Sequence, residues 1–303
     1  MDQQPSIPDR SLIGDHRRQW HDCLYVYPVI SRRSGGLSVG VNLNPNRACS
    51  FGCLYCQIDR SQPRGLDFVD LDILAAELRA VLAEVSSGKI WQHERFSQTP
   101  EAMRRINDIA FSGDGEPTCH PQFDRAVAIA ADAKAHAGID EVKLVVITNS
   151  TALDKPPFQR AVPTLAESDG QIWAKLDAGS ESFFQRINRP AEGLTLEKIV
   201  KDIAAVSRQL PTWIQTLLLA IDSQPPSDEE IAAYIGRLRQ IRELGGQIRG
   251  VQLHTIARSP AESYVRYLPE TQLKLIARRI SAALPDLQIS VYPGRDAAPR
   301  HRR

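Results

Sequence analysis

The stretch Cys49-Ser50-Phe51-Gly52-Cys53-Leu54-Tyr55-Cys56 puts three of the chain's five cysteines within eight residues, spaced C-x3-C-x2-C. Thiolates this close reach one metal centre without help from distant sequence. A closed structural zinc site takes four ligands, and an ordinary four-iron cubane takes four cysteines. Three thiolates on a four-iron cluster leave one iron open to a further ligand, which separates a catalytic centre from a structural one. The plainer alternative is a zinc site completed by a histidine elsewhere, such as His21 or His93. The rest of the chain has to decide between them.

Around this stretch the sequence settles into a rhythm of strand, loop and helix. Residues 25–28 suit a short strand, and residues 36–43 alternate with the period of two that marks a strand, with the cysteines directly after. Leu71, Leu74, Leu78, Leu82 and Val85 recur at helical spacing, with Asp70 or Asp72 placed to cap the start. Residues 86–105 are polar and irregular and read as an insertion. Strands are then predicted at 109–111, 142–148, 172–176, 212–219, 248–256 and 287–292. Helices are predicted at 122–138, through Leu196, Ile199, Val200, Ile203 and Val206, from a capping box at residues 227–230 to Gly245-Gly246, and at 272–284. Such alternation implies a parallel sheet covered by helices, curled by right-handed crossovers into a full or partial barrel. Ligands in these folds lie at the C-terminal ends of strands. The polar clusters of this chain all fall where a strand runs out: the cysteine triplet, residues 112–118, Thr148-Asn149, Asp177 and His254. One shared mouth explains them better than separate structural features.

Composition removes several classes of function. The chain has 303 residues, with Lys+Arg 37 against Asp+Glu 36, so no broad positive field advertises nucleic acid. The start is polar and lacks the apolar core of a signal peptide, and no run approaches the ~20 apolar residues of a membrane span. Five cysteines with three bunched do not make a disulfide framework, which indicates a reduced, cytoplasmic setting. The expected division is a flexible arm over 1–24, a core barrel over 25–293 carrying the polar insertion, and a basic tail over 294–303.

Ser112-Gly113-Asp114-Gly115-Glu116-Pro117-Thr118 is the second strong signal. Two glycines at a strand end permit positive φ and close approach of backbone to a ligand, and the following Glu, with neighbouring carbonyls, could hold an ammonium group. Taken with the triplet, this turn resembles the Gly-Gly-Glu turn of the radical S-adenosylmethionine (radical SAM) superfamily. Further segments narrow the likeness: residues 27–28, 31–33, 36–43 and 57–60, Leu176-Asp177-Ala178-Gly179, Arg186-Ile187-Asn188-Arg189-Pro190, residues 251–253 and Ala257-Arg258. Over roughly residues 25–265 the chain resembles the branch of iron–sulfur oxidoreductases similar to the wybutosine-synthesis (tRNA wyosine-forming) enzymes.

The resemblance implies an α/β fold, a partial (β/α)6 TIM-like barrel with its site at the C-terminal ends of the strands. It implies a [4Fe-4S] cluster on Cys49, Cys53 and Cys56, with the open iron chelated by the methionine end of S-adenosylmethionine. Gly113, Asp114, Gly115 and Glu116 would take the methionine amino group, and Tyr55 would lie near adenine. Thr148, Asn149 and Asp177 would meet ribose or carboxylate, Gln215 could face the cofactor, and His254 and Arg258 are candidates for substrate contact. The implied reaction is reductive cleavage of the cofactor to a 5'-deoxyadenosyl radical that abstracts hydrogen from a substrate: an RNA nucleoside, a peptide or a small metabolite. An electron donor such as flavodoxin or ferredoxin would serve it, with no membrane involved. Wyosine-forming relatives use a second cluster held by cysteines ahead of the triplet. Here only Cys23 precedes it, and Cys119 follows the Gly-Glu turn; both read as small buried hydrophobes.

Overall fold

The computed structural model of the chain describes residues 19–31, 33–60, 68–257 and 262–294. It opens with a hairpin, β1 (Val26–Ser31) and β2 (Gly36–Val41), paired antiparallel. From β2 onward the main sheet is parallel: β3 (Ile106–Phe111), β4 (Lys143–Thr148), β5 (Gly170–Lys175) and β6 (Thr212–Leu217) follow in order. Next, β7 (Leu219–Ile221) leaves the sheet to pair with β9 (Val265–Tyr267), while β8 (Ile248–His254) and β10 (Gln288–Tyr292) complete the parallel run. The spatial order β1-β2-β3-β4-β5-β6-β8-β10 makes the sheet α/β and barrel-like, with β1 and β10 as its edges. Beyond the six strands of the expected (β/α)6 barrel, the strand predicted at 287–292 joins the sheet as β10, covered by the helix Glu270–Ala283.

Among the described residues, seven α-helices flank the sheet: α1 (Leu71–Ser86), α2 (Phe123–His136), α3 (Pro156–Glu167), α4 (Glu181–Asn188), α5 (Leu196–Ser207), α6 (Asp228–Glu243) and α7 (Glu270–Ala283). The Asp70 carboxylate caps α1 by accepting from the amides of Asp72 and Ile73. One stripe of α1, including Leu74, Leu78 and Leu82, is wholly buried; each such side chain contributes about 1.5–3 kcal/mol of apolar transfer. Glu77, on the same helix, accepts from the amides of Leu24, Tyr25 and Val26 and so fixes the entry to β1. Alternation along the strands sorts the core. Ile109, Phe111, Leu144, Val146 and Ile172 face the helices, whereas Ala110, Val145 and Trp173 form a second cluster with Ile147 and Trp213 inside the barrel.

Two helices have no counterpart in the sequence reading. Helix α3 begins with Pro156 and Pro157 and contains Pro163, and prolines argue against a helix except in the first turn. Helix α4 is only eight residues long. The stretch 86–105 is also more than an insertion. It makes 3-10 turns at Lys89–Gln92 and Glu101–Met103 and buries Ile90, Phe96 and Thr99. Trp20, in the expected loose arm, is 3% exposed and packs against His93 and Phe96. This layer joins the C-terminal end of α1 to the start of β3, so it lies at the opposite end of the barrel from the cysteine loop. Among the described residues, no helix is long and apolar enough to cross a membrane.

Candidate metal centre

The loop after β2 is shaped by side chains closing on nearby amides. Asn42 Oδ1 accepts from Asn44 N at 3.0 Å and Asn46 Oδ1 from Ala48 N at 3.0 Å, while Arg47 takes a left-handed conformation (φ 59°). The cysteine stretch then pairs with the end of α4 as a strand would. Gly52 N donates to Asn188 O at 3.0 Å, Leu54 N to Ile187 O at 2.9 Å, and Ala191 N to Ser50 O at 2.8 Å, with Phe51 bridged to Pro190. Phe51 and Leu54 are buried beneath it, Phe51 edge-on to Phe184 at 5.5 Å. As residues the three cysteines are half-buried, all on one short loop at the strand ends, with the Cys49 and Cys53 sulfurs turned inward.

The Gly-Asp-Gly-Glu turn follows β3 alongside, and its glycines serve a different contact from the one expected. Neither Gly113 nor Gly115 has positive φ. A Cβ on Gly113 would lie 2.2 Å from Asn42 Oδ1, and one on Gly115 would lie 1.8 Å from the Ala48 carbonyl oxygen. Their bare faces let this turn lie against the cysteine loop, where Glu116 N donates to Ala48 O at 3.3 Å. The Glu116 side chain is likewise turned inward. It is 2% exposed and accepts from Thr118 N (3.1 Å), Thr118 Oγ1 (2.5 Å), Thr148 Oγ1 (2.7 Å) and Asn149 N (2.6 Å). Burial pushes its pKa up, against the lowering effect of these donors. A carboxylate engaged by four protein donors ties β3 to β4. Asp114 is the half-buried acid of the turn, held by Asn42 Nδ2 at 2.9 Å.

Thr148 and Asn149 complete that lock. Thr148 Oγ1 accepts from Ser150 N at 2.9 Å besides donating to Glu116. Asn149 Oδ1 accepts from Thr151 N and Oγ1, which turns its amide group onto Ser50 Oγ (2.8 Å) and Cys49 Sγ (3.7 Å). On the other flank, the Tyr55 hydroxyl donates to Asp177 Oδ2, and Asn188 Nδ2 approaches Asp177 Oδ2 (2.9 Å), Tyr55 Oη (3.0 Å) and Cys53 Sγ (3.6 Å). Asp177 also accepts from Leu217 N at 2.8 Å and lies 3.4 Å from Lys175 Nζ, which sits over the Tyr55 ring. Gln215 is buried and donates to Gln252 Oε1 at 3.2 Å across β6 and β8. His254 is half-buried at the end of β8. Arg258 lies outside the described residues.

Burial dominates the titration of two of the three thiols. Burial pushes Cys53 up to about 12, against the lowering effects of Lys175, Tyr55 and Asn188. Burial likewise pushes Cys49 up to about 11, opposed chiefly by the Phe51 amide. Metal must therefore displace protons to bind. Among the described residues, no three His, Cys, Asp or Glu side chains gather tightly enough to hold a single ion. His21 and His93, the alternative zinc ligands, pack 5.8 Å apart around Trp20 at the far end of the barrel. Three free thiols on one preformed loop, each reached by an N–H donor, fit a multinuclear cluster. Cys23 is half-buried beside Glu77 and Glu84, and Cys119 is exposed rather than buried. It ends the 3-10 turn Pro117–Cys119, whose inner side is taken by Pro117 and Thr118.

Asn188, Ser50, Asn42 and Thr118 are residues of this site that sequence reading assigned no role. Their partners lie up to 135 residues away along the chain, beyond any local pattern. All four fall in segments the sequence singles out (36–43, 49–56, 112–118 and 186–190), but nothing local assigns their side chains a partner.

Residues 43–235 match the family model described as the radical SAM superfamily. Among curated proteins, GTPase Obg of Brachyspira hyodysenteriae is 23% identical over 277 residues, covering 89% of this chain and 35% of that protein. A UPF0026 protein of Methanocaldococcus jannaschii is 24% identical over 239 residues, covering 79% of this chain and 65% of that protein. The chain thus spans less than two thirds of either relative. Two solved structures share the fold. A radical SAM methyltransferase from Sphaerobacter thermophilus aligns with a TM-score of 0.61 at 15% identity, covering 89% of this chain and 70% of that one. TYW1 with a lysine-pyruvate adduct bound aligns with a TM-score of 0.54 at 15% identity, covering 82% and 74%.

Proposed function

Because the chain belongs to the radical SAM superfamily, we propose that Cys49, Cys53 and Cys56 hold a [4Fe-4S] cluster, that its open iron takes S-adenosylmethionine, and that the pair acts on a substrate at the barrel mouth. The observation that carries this reading is the cysteine loop itself: three free thiols at the strand ends, braced by the loops after β3 and β4 and by the end of α4. When bound, the cluster and cofactor supply one-electron reductive cleavage and a 5'-deoxyadenosyl radical for hydrogen abstraction.

The protein's part is to bind, orient and keep the mouth dry. The cofactor's ammonium group goes to Asp114 and the carbonyls of residues 113–115, since the Glu116 carboxylate is engaged within the fold. Tyr55, held by Asp177 and Asn188, offers its ring to adenine. Gln215 and Gln252 supply amide groups deeper in the barrel, and the substrate enters past Lys175 and His254. An external one-electron carrier such as flavodoxin or ferredoxin delivers the electron.

The test is anaerobic reconstitution, dithionite reduction and an assay for 5'-deoxyadenosine, with electron paramagnetic resonance on the same sample. The expected result is a four-iron signal perturbed by S-adenosylmethionine, with deoxyadenosine released. Replacing any one of Cys49, Cys53 or Cys56 by Ala abolishes release, while Cys23→Ala and Cys119→Ala retain it. A colourless protein with stoichiometric zinc, or a cluster blind to the cofactor, overturns the proposal.

A further inference from the structure

Each of the three cysteine sulfurs has a different side-chain N–H group within reach. Asn149 Nδ2 lies 3.7 Å from Cys49 Sγ, Asn188 Nδ2 lies 3.6 Å from Cys53 Sγ, and Arg60 Nη2 lies 3.7 Å from Cys56 Sγ. These are ordinary distances for a bond to sulfur, and the donors come from three places: the loop after β4, the last turn of α4, and the cysteine loop itself. Each donor is also aimed by bonds of its own. Asn149 is fixed through Oδ1 by Thr151 N and Oγ1. Asn188 Nδ2 spreads its two hydrogens over Asp177 Oδ2, Tyr55 Oη and Cys53 Sγ, so the bonds that hold it in place also share its N–H groups with the sulfur. Arg60 is tied through Nη1 to the Arg47 carbonyl. The two asparagine amides are thereby kept against their sulfurs, whereas exposed Arg60 is tethered at one end only.

We infer that Asn149, Asn188 and Arg60 are positioning residues that set the reduction potential of the cluster, one through each cysteine. The inference rests on the reading of Cys49, Cys53 and Cys56 as cluster ligands. Adding an electron to an iron–sulfur cluster increases the negative charge on its sulfurs. N–H groups directed at those sulfurs therefore stabilise the reduced state more than the oxidised one and raise the potential. The three donors do not act alike. Asn149 and Asn188 are neutral but buried, so their dipoles work in a low dielectric that salt does not reach. Arg60 carries a full charge but is exposed, so its effect is screened by salt.

The experiment is a redox titration of the reconstituted full-length chain, following the reduced-cluster signal by electron paramagnetic resonance at low and at high salt. Asn149→Ala and Asn188→Ala are expected to lower the midpoint by at least a tenfold shift in the reduction equilibrium, about 59 mV for a one-electron couple, at both salt levels. Arg60→Gln is expected to lower it at low salt, with the difference from the parent shrinking at high salt; Arg60→Lys falls between. Arg60 is exposed, so its variants keep the fold even where an Asn variant does not load. Loaded variants with the parental midpoint overturn the inference alone. A parent chain that takes up no cluster overturns the ligand reading first and this inference with it.

Discussion

The sharpest consequence of the site geometry concerns Glu116, whose carboxylate serves the fold rather than the solvent. Removing it by Glu116→Ala strands two fixed backbone donors, Thr118 N and Asn149 N, while the hydroxyls of Thr118 and Thr148 can turn to other acceptors. A buried donor left without a partner costs roughly 1–3 kcal/mol, so the two together cost roughly 2–6 kcal/mol. That is a large share of the ~5–15 kcal/mol that holds a typical domain. Glu116→Gln is milder. Its carbonyl can face Asn149 N and its amide can donate to the two hydroxyls, leaving only Thr118 N opposed, for roughly 1–3 kcal/mol. Urea unfolding of the metal-free protein reads both. With a slope of about 3 kcal/mol per molar, the Ala variant loses about 0.7–2 M of midpoint and the Gln variant about a third to one molar. A residue facing solvent in wait for an ammonium group would behave differently: both substitutions would leave metal-free stability almost untouched. An Ala midpoint within about 0.2 M of the parent would refute the inward assignment.

Three further outcomes follow from the same geometry. With its pKa pushed up to about 12, Cys53 in the folded metal-free chain should be alkylated at pH ~8 on the order of 10^3-fold more slowly than a free thiol; peptide-resolved labelling within tenfold of free cysteine contradicts its burial. Asp108 is buried against Ser38, and burial pushes its pKa up despite Arg33 and Lys143 nearby. The folded chain therefore holds this proton to higher pH than the unfolded one, and the parent loses that stability as pH rises through the folded pKa. Asp108→Asn should thus gain on the parent between pH ~4 and pH ~8, and parallel urea midpoints at the two values would rule this out. Gly115→Ala must push the Ala48 carbonyl away and should lower both stability and iron retention. Gly236→Ala, in α6 with nothing within 4 Å of its new methyl, should be neutral or stabilising by about 0.5–1 kcal/mol. Equal effects in the two variants would show that the glycine contact is unimportant.

What could be read from the sequence was whatever a local pattern encodes. The cysteine spacing, the alternation of β2, the leucine stripe of α1 and the Asp70 cap need no distant partner, and the structure contains each of them. Hidden features had a contrary local signal or a remote cause. Prolines at 156, 157 and 163 disguised α3, where Phe158, Ala161, Val162 and Leu165 nevertheless form a buried face. The polarity of 86–105 concealed Ile90 and Phe96, two buried anchors among charges. The capping box at the start of α6 was half right. Ser227 caps Glu230 N, but the Glu230 carboxylate reaches the Gly179 and Ser180 amides of the β5–α4 turn instead of closing the box. Gly179 allows this, because helix α6 passes so close that a Cβ there would meet Tyr234 N at 2.0 Å. Glu116 shows the same limit. Its position at the strand end was legible, but the direction of its side chain depends on Thr148 and Asn149 in the next βα unit.

That dependence says how the centre is built. Alone, residues 49–56 would be a flexible peptide, ordered only when metal arrives, as in small zinc domains that fold on binding. Here the ordering is done by the fold: Gly115 against Ala48, Asn149 on Ser50, and residues 187–191 paired with 50–54. Each brace belongs to a different βα unit and lies tens of residues away along the chain. Binding energy at such a loop is not consumed in folding the peptide and remains available to hold a cluster in one orientation. A structural metal site has no need of this. The proposed cluster, which would present one open coordination position to a cofactor beside Tyr55 and Asp114, would need it, and the parallel sheet brings successive strand ends to one mouth.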